Sequence, residues 1–148
     1  MNVLYHGSRY KNNILKPGFN YSNKEINWDS TESNKNLYVT ENKESAILMG
    51  IAGLLEKNNT LKEFSISDKI ITIEFYPNES KVSIDKNDEI YLYTIKPLPN
   101  QKWIKVNNKN NKDFSEFKTT DHIQYDRIEP IIILDWLKKN GYSLNYCL

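Results

Sequence analysis

At 148 residues the chain has the length of one ordinary domain, enough to bury a core without disulfide or metal staples. Its 20 basic and 19 acidic residues leave a net charge of +1, which excludes a global field drawing it to nucleic acid or an anionic membrane. Cys147 is the single cysteine, so an internal disulfide framework and a clustered thiolate site for zinc are both excluded, and a reducing compartment fits.

No stretch approaches the roughly 18 to 20 apolar residues of a membrane span, and no basic segment followed by an apolar signal core opens the chain. The expectation is one soluble, cytoplasmic domain over residues 1–148. Residues 3 to 6 alternate weakly and end at Gly7-Ser8, as a short strand entering a turn does. From Tyr10 to Asn36 the sequence is polar, with Pro17-Gly18 as a turn and Ile14, Leu15, Phe19, Ile26 and Trp28 as isolated anchors. A loop this long inside a domain is more often functional than idle.

"NLYVT" at 36 to 40 is a β-prone run, after which Thr40 or Asn42 caps a helix. In "ENKESAILMGIAGLLEKNN" the acids Glu41 and Glu44 fall in the first turn and Lys57 in the last, as the helix dipole favours. Ala46 to Leu55 is nearly apolar all round, which predicts a well-buried helix.

"KIITIEFYP" (69 to 77) alternates Ile71, Ile73 and Phe75 against Thr72, Glu74 and Tyr76, and "EIYLYTIKP" (89 to 97) opposes Tyr91, Tyr93 and Ile95 to Ile90, Leu92 and Thr94. Both predict strands. "QKWIKV" (101 to 106) predicts another, then the solvated loop "NNKNNKD", then a strand in "SEFKTTDHIQ" (115 to 124). "RIEPIIIL" (127 to 134) is a strand broken by Pro130, and "DWLKKNGYSL" a short helix ended at Gly141. One helix ahead of several strands predicts an α+β domain.

Several chemistries lack their motifs: there is no GxxxxGK[ST], no GxGxxG and no HExxH. Ser115, Asp121 and His122 make a triad on paper only, because adjacent strand residues point to opposite faces. No metal role is supported.

What remains is a spaced set: "LYHGS" at 4 to 8, "PGF" at 17 to 19, "NLYVT" at 36 to 40 and an alanine-containing helix straight after. This set resembles the ADP-ribosyltransferase superfamily of the His-Tyr-Glu type, the class of the poly(ADP-ribose) polymerases and the small rifamycin-modifying transferases. Roughly the first 55 residues carry it. In the second half "IYLYTI", "SEFKTT" and "IEPIIIL" look like the strand series of compact bacterial and phage members, where an acidic-aromatic pair opens the strand of the third catalytic position. That puts the carboxylate at Glu116, with Glu74, Glu89, Asp121 and Glu129 also on or beside predicted strands.

The resemblance implies an α+β fold of two small packed sheets, mixed or antiparallel, with few helices and with NAD as cosubstrate in the cleft between them. It implies that His6 bonds an NAD ribose, Gly7 anchors the carboxamide through its main chain, and Tyr38 stacks on nicotinamide. Ser8 and the loop through Trp28 would lie near the pyrophosphate and adenosine. Glu116 would stabilise the oxocarbenium-like charge on the ribose and take the acceptor's proton.

Transfer of ADP-ribose to a small molecule, protein or nucleic acid is the expected activity, with hydrolysis by water as a sub-case. The loop 10–36 is expected over the donor and the segment 97–115 at the acceptor. A rival reading keeps the fold as a catalytically inactive module that binds a nucleotide or a protein. A third, removal of an RNA 2′-phosphate with NAD, lacks the basic cluster it requires.

Overall fold

Alternating side chains build most of this molecule, and the computed structural model describes residues 2–17, 36–106 and 116–147 of it. In chain order the elements are β1 (Leu4–Ser8), β2 (Leu37–Thr40), α1 (Lys43–Leu55), β3 (Leu61–Ser67), β4 (Ile70–Phe75) and β5 (Glu89–Ile95), then β6 (Ile104–Val106), β7 (Glu116–Thr119), β8 (Arg127–Ile132), α2 (Ile133–Lys139) and β9 (Ser143–Tyr146). The class is α+β. Six strands form one sheet in the order β6-β7-β2-β1-β5-β8, and three form a second in the order β3-β4-β9. All neighbours in the larger sheet are antiparallel, whereas β9 runs parallel to β4.

The larger sheet buries both faces, and its two sides have different covers. On one, Ile90 and Leu92 of β5 pack with Ala46, Ile47, Ile51 and Leu55 of α1, with Ile71, Ile73 and Phe75 of β4, and with Leu137 of α2. This is the helix face. On the far face Leu4, Leu37, Val39, Tyr93, Ile95 and Phe117 form a second core with Leu15 and Ile123. Burial on this scale, at about 25 cal/mol per Å² of apolar area, is what holds so polar a chain together.

Asn42 caps α1, its side-chain oxygen accepting from the Ser45 N–H at 2.9 Å. Glu41 precedes the cap, so only Glu44 lies in the first turn. Lys57 lies past the helix end, contrary to the expectation from the sequence. Its place at the negative end of the dipole is taken by Arg9, which donates to the Gly53 carbonyl at 3.0 Å. The helix is also less enclosed than its composition implies, because Met49 is 48% exposed.

Three strands differ from the sequence reading. The hairpin β3–β4 is absent from the sequence reading, since its two-residue turn is Asp68-Lys69, both at positive φ, rather than an Asn-Gly or Asp-Gly pair. β8 runs through Pro130 without a break, because it is the edge of the sheet and an edge strand tolerates a missing donor. The C-terminal β9 has no counterpart in the sequence reading, which ends with the helix stopped at Gly141; its alternation is short and half polar, and pairing with β4 makes it a strand.

Candidate functional site

The residues singled out in the sequence fall on three strands that lie side by side, β1, β2 and β7. β7 pairs with β2 so that Tyr38 stands opposite Lys118 and Thr40 opposite Glu116. Direct partners share a face of the sheet. Leu37, Val39 and Phe117 belong to the far-face core, so Tyr38, Thr40, Glu116 and Lys118 project on the helix face. Glu116 is then the diagonal neighbour of Tyr38, about 7–8 Å away across the ladder.

The other carboxylates lie elsewhere. Glu129 is on β8 at the opposite edge of the sheet, where it pairs with Lys43 at 3.7 Å, and Glu74 is in the smaller sheet. Glu89 accepts the Tyr91 hydroxyl at 2.8 Å, and Asp121 accepts the Lys102 N–H at 3.2 Å in a turn. Among the described residues, Glu116 alone of the five is on a strand bonded to β2.

His6 is placed differently. It pairs with Tyr93 across β5, their ring centroids 6.0 Å apart, and so belongs to the far face. The imidazole and the Tyr38 phenol therefore do not converge on one side of the sheet. They meet through the main chain instead: His6 Nδ1 lies 2.8 Å from the Tyr38 carbonyl. A carbonyl only accepts, so Nδ1 carries the proton and Nε2 is an acceptor in the neutral ring. Burial holds the imidazole below its ordinary pKa, with the Tyr38 carbonyl pulling weakly the other way.

This contact sits where β1 and β2 part. The pair registers at Tyr5 opposite Thr40, whereas β1 and β5 stay in register from Leu4 to Ser8. Which way Gly7 points follows from β5. The carbonyls of Asp88 and Thr94 both accept from the β8 side, from Ile133 and Asp126. Even-numbered residues of β5 thus turn their polar groups toward β8, and odd-numbered ones toward β1. His6, opposite Tyr93, bonds to β5; Gly7, opposite Leu92, turns its N–H and C=O the other way, toward β2. There β2 offers it no register partner. The result is a main-chain donor and acceptor side by side in the gap between two strands.

The missing side chain of Gly7 has a second cause. A Cβ here would lie 1.8 Å from the Ala46 carbonyl oxygen, because α1 rests directly on β1. Ser8 turns its hydroxyl to the Tyr10 N–H at 3.0 Å and so shapes the exit from β1. Beyond it Tyr93 donates to the Tyr10 carbonyl at 2.7 Å and accepts from the Asn12 N–H at 2.8 Å, while Tyr125 donates to the Asn12 carbonyl at 2.8 Å. These bonds, with the Leu15–Ile123 bridge, pin the segment after β1 against the far face near His6.

Phe19, Trp28 and Ser115, with most of the loop 10–36 and the end of the segment 97–115, lie outside the described residues. His122 is exposed on the turn after β7. Lys118 was missed in the sequence, where a lysine in "SEFKTT" reads as solvated; only the strand register reveals that it flanks Tyr38.

The lowered His6 pKa has a testable consequence. The folded chain binds fewer protons than the unfolded chain as pH falls through the ordinary value of 6.5. Stability from this group is therefore complete above that pH and lost below it, down through the depressed folded value. Denaturant midpoints measured from pH 8 to pH 5 are expected to fall below about 6.5, and the fall to be shallower in His6→Gln.

Among the described residues no helix is long and apolar enough to cross a membrane, and no three His, Cys, Asp or Glu side chains group to hold a metal ion. Compared with known proteins, the chain matches no family model, no curated protein and no solved structure.

Proposed function

We propose that this protein binds NAD at the parting of β1 and β2 and transfers ADP-ribose to an acceptor. The observation that carries this reading is the gap itself. Gly7 presents an N–H and a C=O there without a register partner on β2, and a primary carboxamide offers the complementary acceptor and donor. Nicotinamide held edge-on by Gly7 meets the Tyr38 ring on the helix face and the His6 ring from the far face, so the two rings need not share a side. Neutral His6 then accepts from a ribose hydroxyl at Nε2.

In the reaction the bond from ribose C1′ to the ring nitrogen breaks, and its electron pair stays on nicotinamide, which leaves neutral. Positive charge develops on the ribose, where the Glu116 carboxylate stabilises it. The acceptor's nucleophile bonds C1′ and gives its proton to Glu116. Water as acceptor yields free ADP-ribose. The test is nicotinamide release from NAD: His6→Ala is expected to release at least about a hundredfold less than wild type. Equal release by the two proteins removes the site.

One observation favours a non-catalytic module on the same fold, namely that His6 and Tyr38 project from opposite faces. Calorimetry separates the two readings. Tight binding of ADP-ribose with no nicotinamide release supports the module.

A further inference from the structure

We propose that β9 is a docking edge for a second copy of this chain, so that two of the smaller sheets join across a twofold axis into one continuous sheet. The two sheets of the single chain end on β6 and β8, and on β3 and β9. Such edges are normally guarded against strand addition by charge, proline, a bulge or shortness. β3 carries Lys62, Glu63 and a register shift, β8 carries Arg127, Glu129 and Pro130, and β6 carries Lys105 in a strand of 3 residues. The Ser143–Tyr146 edge has no charge, no proline and no register shift.

Hydrogen-bond parity fixes which of its main-chain groups are open. The Ser143 N–H donates to the Lys69 carbonyl at 2.9 Å and the Cys147 N–H to the Ile73 carbonyl at 2.8 Å, so odd-numbered residues of β9 turn toward β4. Leu144 and Tyr146 turn the other way, and among the described residues their N–H and C=O groups have no partner. The open stretch stops before them, because the Tyr142 N–H already donates to the Leu137 carbonyl at 2.9 Å. An antiparallel second copy that sets its Tyr146 against Leu144 and its Leu144 against Tyr146 satisfies every one of these groups.

That register is its own image under a twofold axis, which is why the occupant is this same chain. Asn145 then lies on the axis opposite its own copy, in a close pair with Cα atoms about 4.5 Å apart. Its amide carries both donor and acceptor, so the two side chains can bond each other, and the strand brings no charge to repel its image. On the inner face, the side of Ile71 and Ile73, Leu144 meets the ring of the other Tyr146, a residue 37% exposed in the single chain. A strand this short makes a small junction beside the roughly 1,000 Å² of a stable interface, so the dimer is transient and grows with concentration.

The test is sedimentation equilibrium on wild type, Asn145→Lys and Asn145→Asp, with melting midpoints to check folding. Asn145 is exposed on the outer face, so both variants keep the fold. Wild type is expected to show a mass rising above the monomer's as concentration approaches about 1 mM. Each variant alone is expected to associate about tenfold more weakly, because like charges meet at the axis, and the one-to-one mixture of the two to recover the loss. Wild type that stays monomeric throughout overturns the proposal. A dimer that tolerates both charges at position 145, or a mixture that associates no better than its components, puts the contact elsewhere and overturns it equally.

Discussion

Replacing Gly7 by alanine is expected to destabilise the domain by about 3 kcal/mol or more. The added methyl would meet Ala46 O at 1.8 Å and Ala46 C at 2.8 Å, both main-chain atoms of α1 with no rotamer to yield. The helix must lift from β1 or the strand must bend. Two further glycines calibrate the effect. At Gly50 the nearest atom is the end of the Ile90 side chain at 2.9 Å, which can turn aside, although Gly7 and Ser8 main-chain atoms follow at 3.1 and 3.2 Å. At Gly53 nothing lies within 4 Å, so alanine there is expected to stabilise by up to about 1 kcal/mol through helix propensity alone. Urea midpoints are expected to rise in the order Gly7→Ala, Gly50→Ala, wild type, Gly53→Ala. A Gly7→Ala protein as stable as wild type would mean that α1 does not rest on β1 at this point.

The second large effect concerns Glu116. Its change to glutamine keeps size and strand pairing, and removes only the charge that faces the ribose in the proposed reaction. Nicotinamide release is expected to fall by a factor of about 10² to 10³, the cost of deleting one preorganised electrostatic group. Affinity for NAD is expected to change much less, because in the proposed site binding rests on Gly7, Tyr38 and His6. Isothermal titration beside a release assay checks both halves. Glu129→Gln is the control: on the far edge of the sheet, it is expected to leave release unchanged. Undiminished turnover in Glu116→Gln would send the search for the carboxylate into residues 107–115.

The parts of this fold legible in the sequence are those where one short-range rule dominates. Alternation exposed β4 and β5, the Asn42 cap and apolar run exposed α1, and Gly141 at φ 77° marked the end of α2. β3 and β9 escaped because each depends on a distant partner. Five of seven residues in β3 are exposed, so no apolar face announces it; it exists because the Asp68-Lys69 turn folds it onto β4. Likewise His6, Gly7 and Tyr38 stood out by residue type and spacing, yet the faces of the two rings depend on which neighbours pack on each side of the sheet, and the direction of the Gly7 main chain on hydrogen-bond parity across β5 and β8. Parity of that kind is a property of the assembled sheet. Lys118 shows the same limit, since four residues of β7 carry no sign of which strand they will join.

The placement of β1 also governs how the chain must assemble. β1 is central in the larger sheet, held between β2 and a strand some eighty positions later, and β4 waits for residues 143–146 to complete its own sheet. Such remote closures carry a high entropic barrier, which predicts refolding in milliseconds to seconds. During translation the larger sheet cannot be finished before β8, nor the smaller one before β9, has cleared the ribosome. Until then the nascent strands expose unpaired edges, a state in which chaperones would find them.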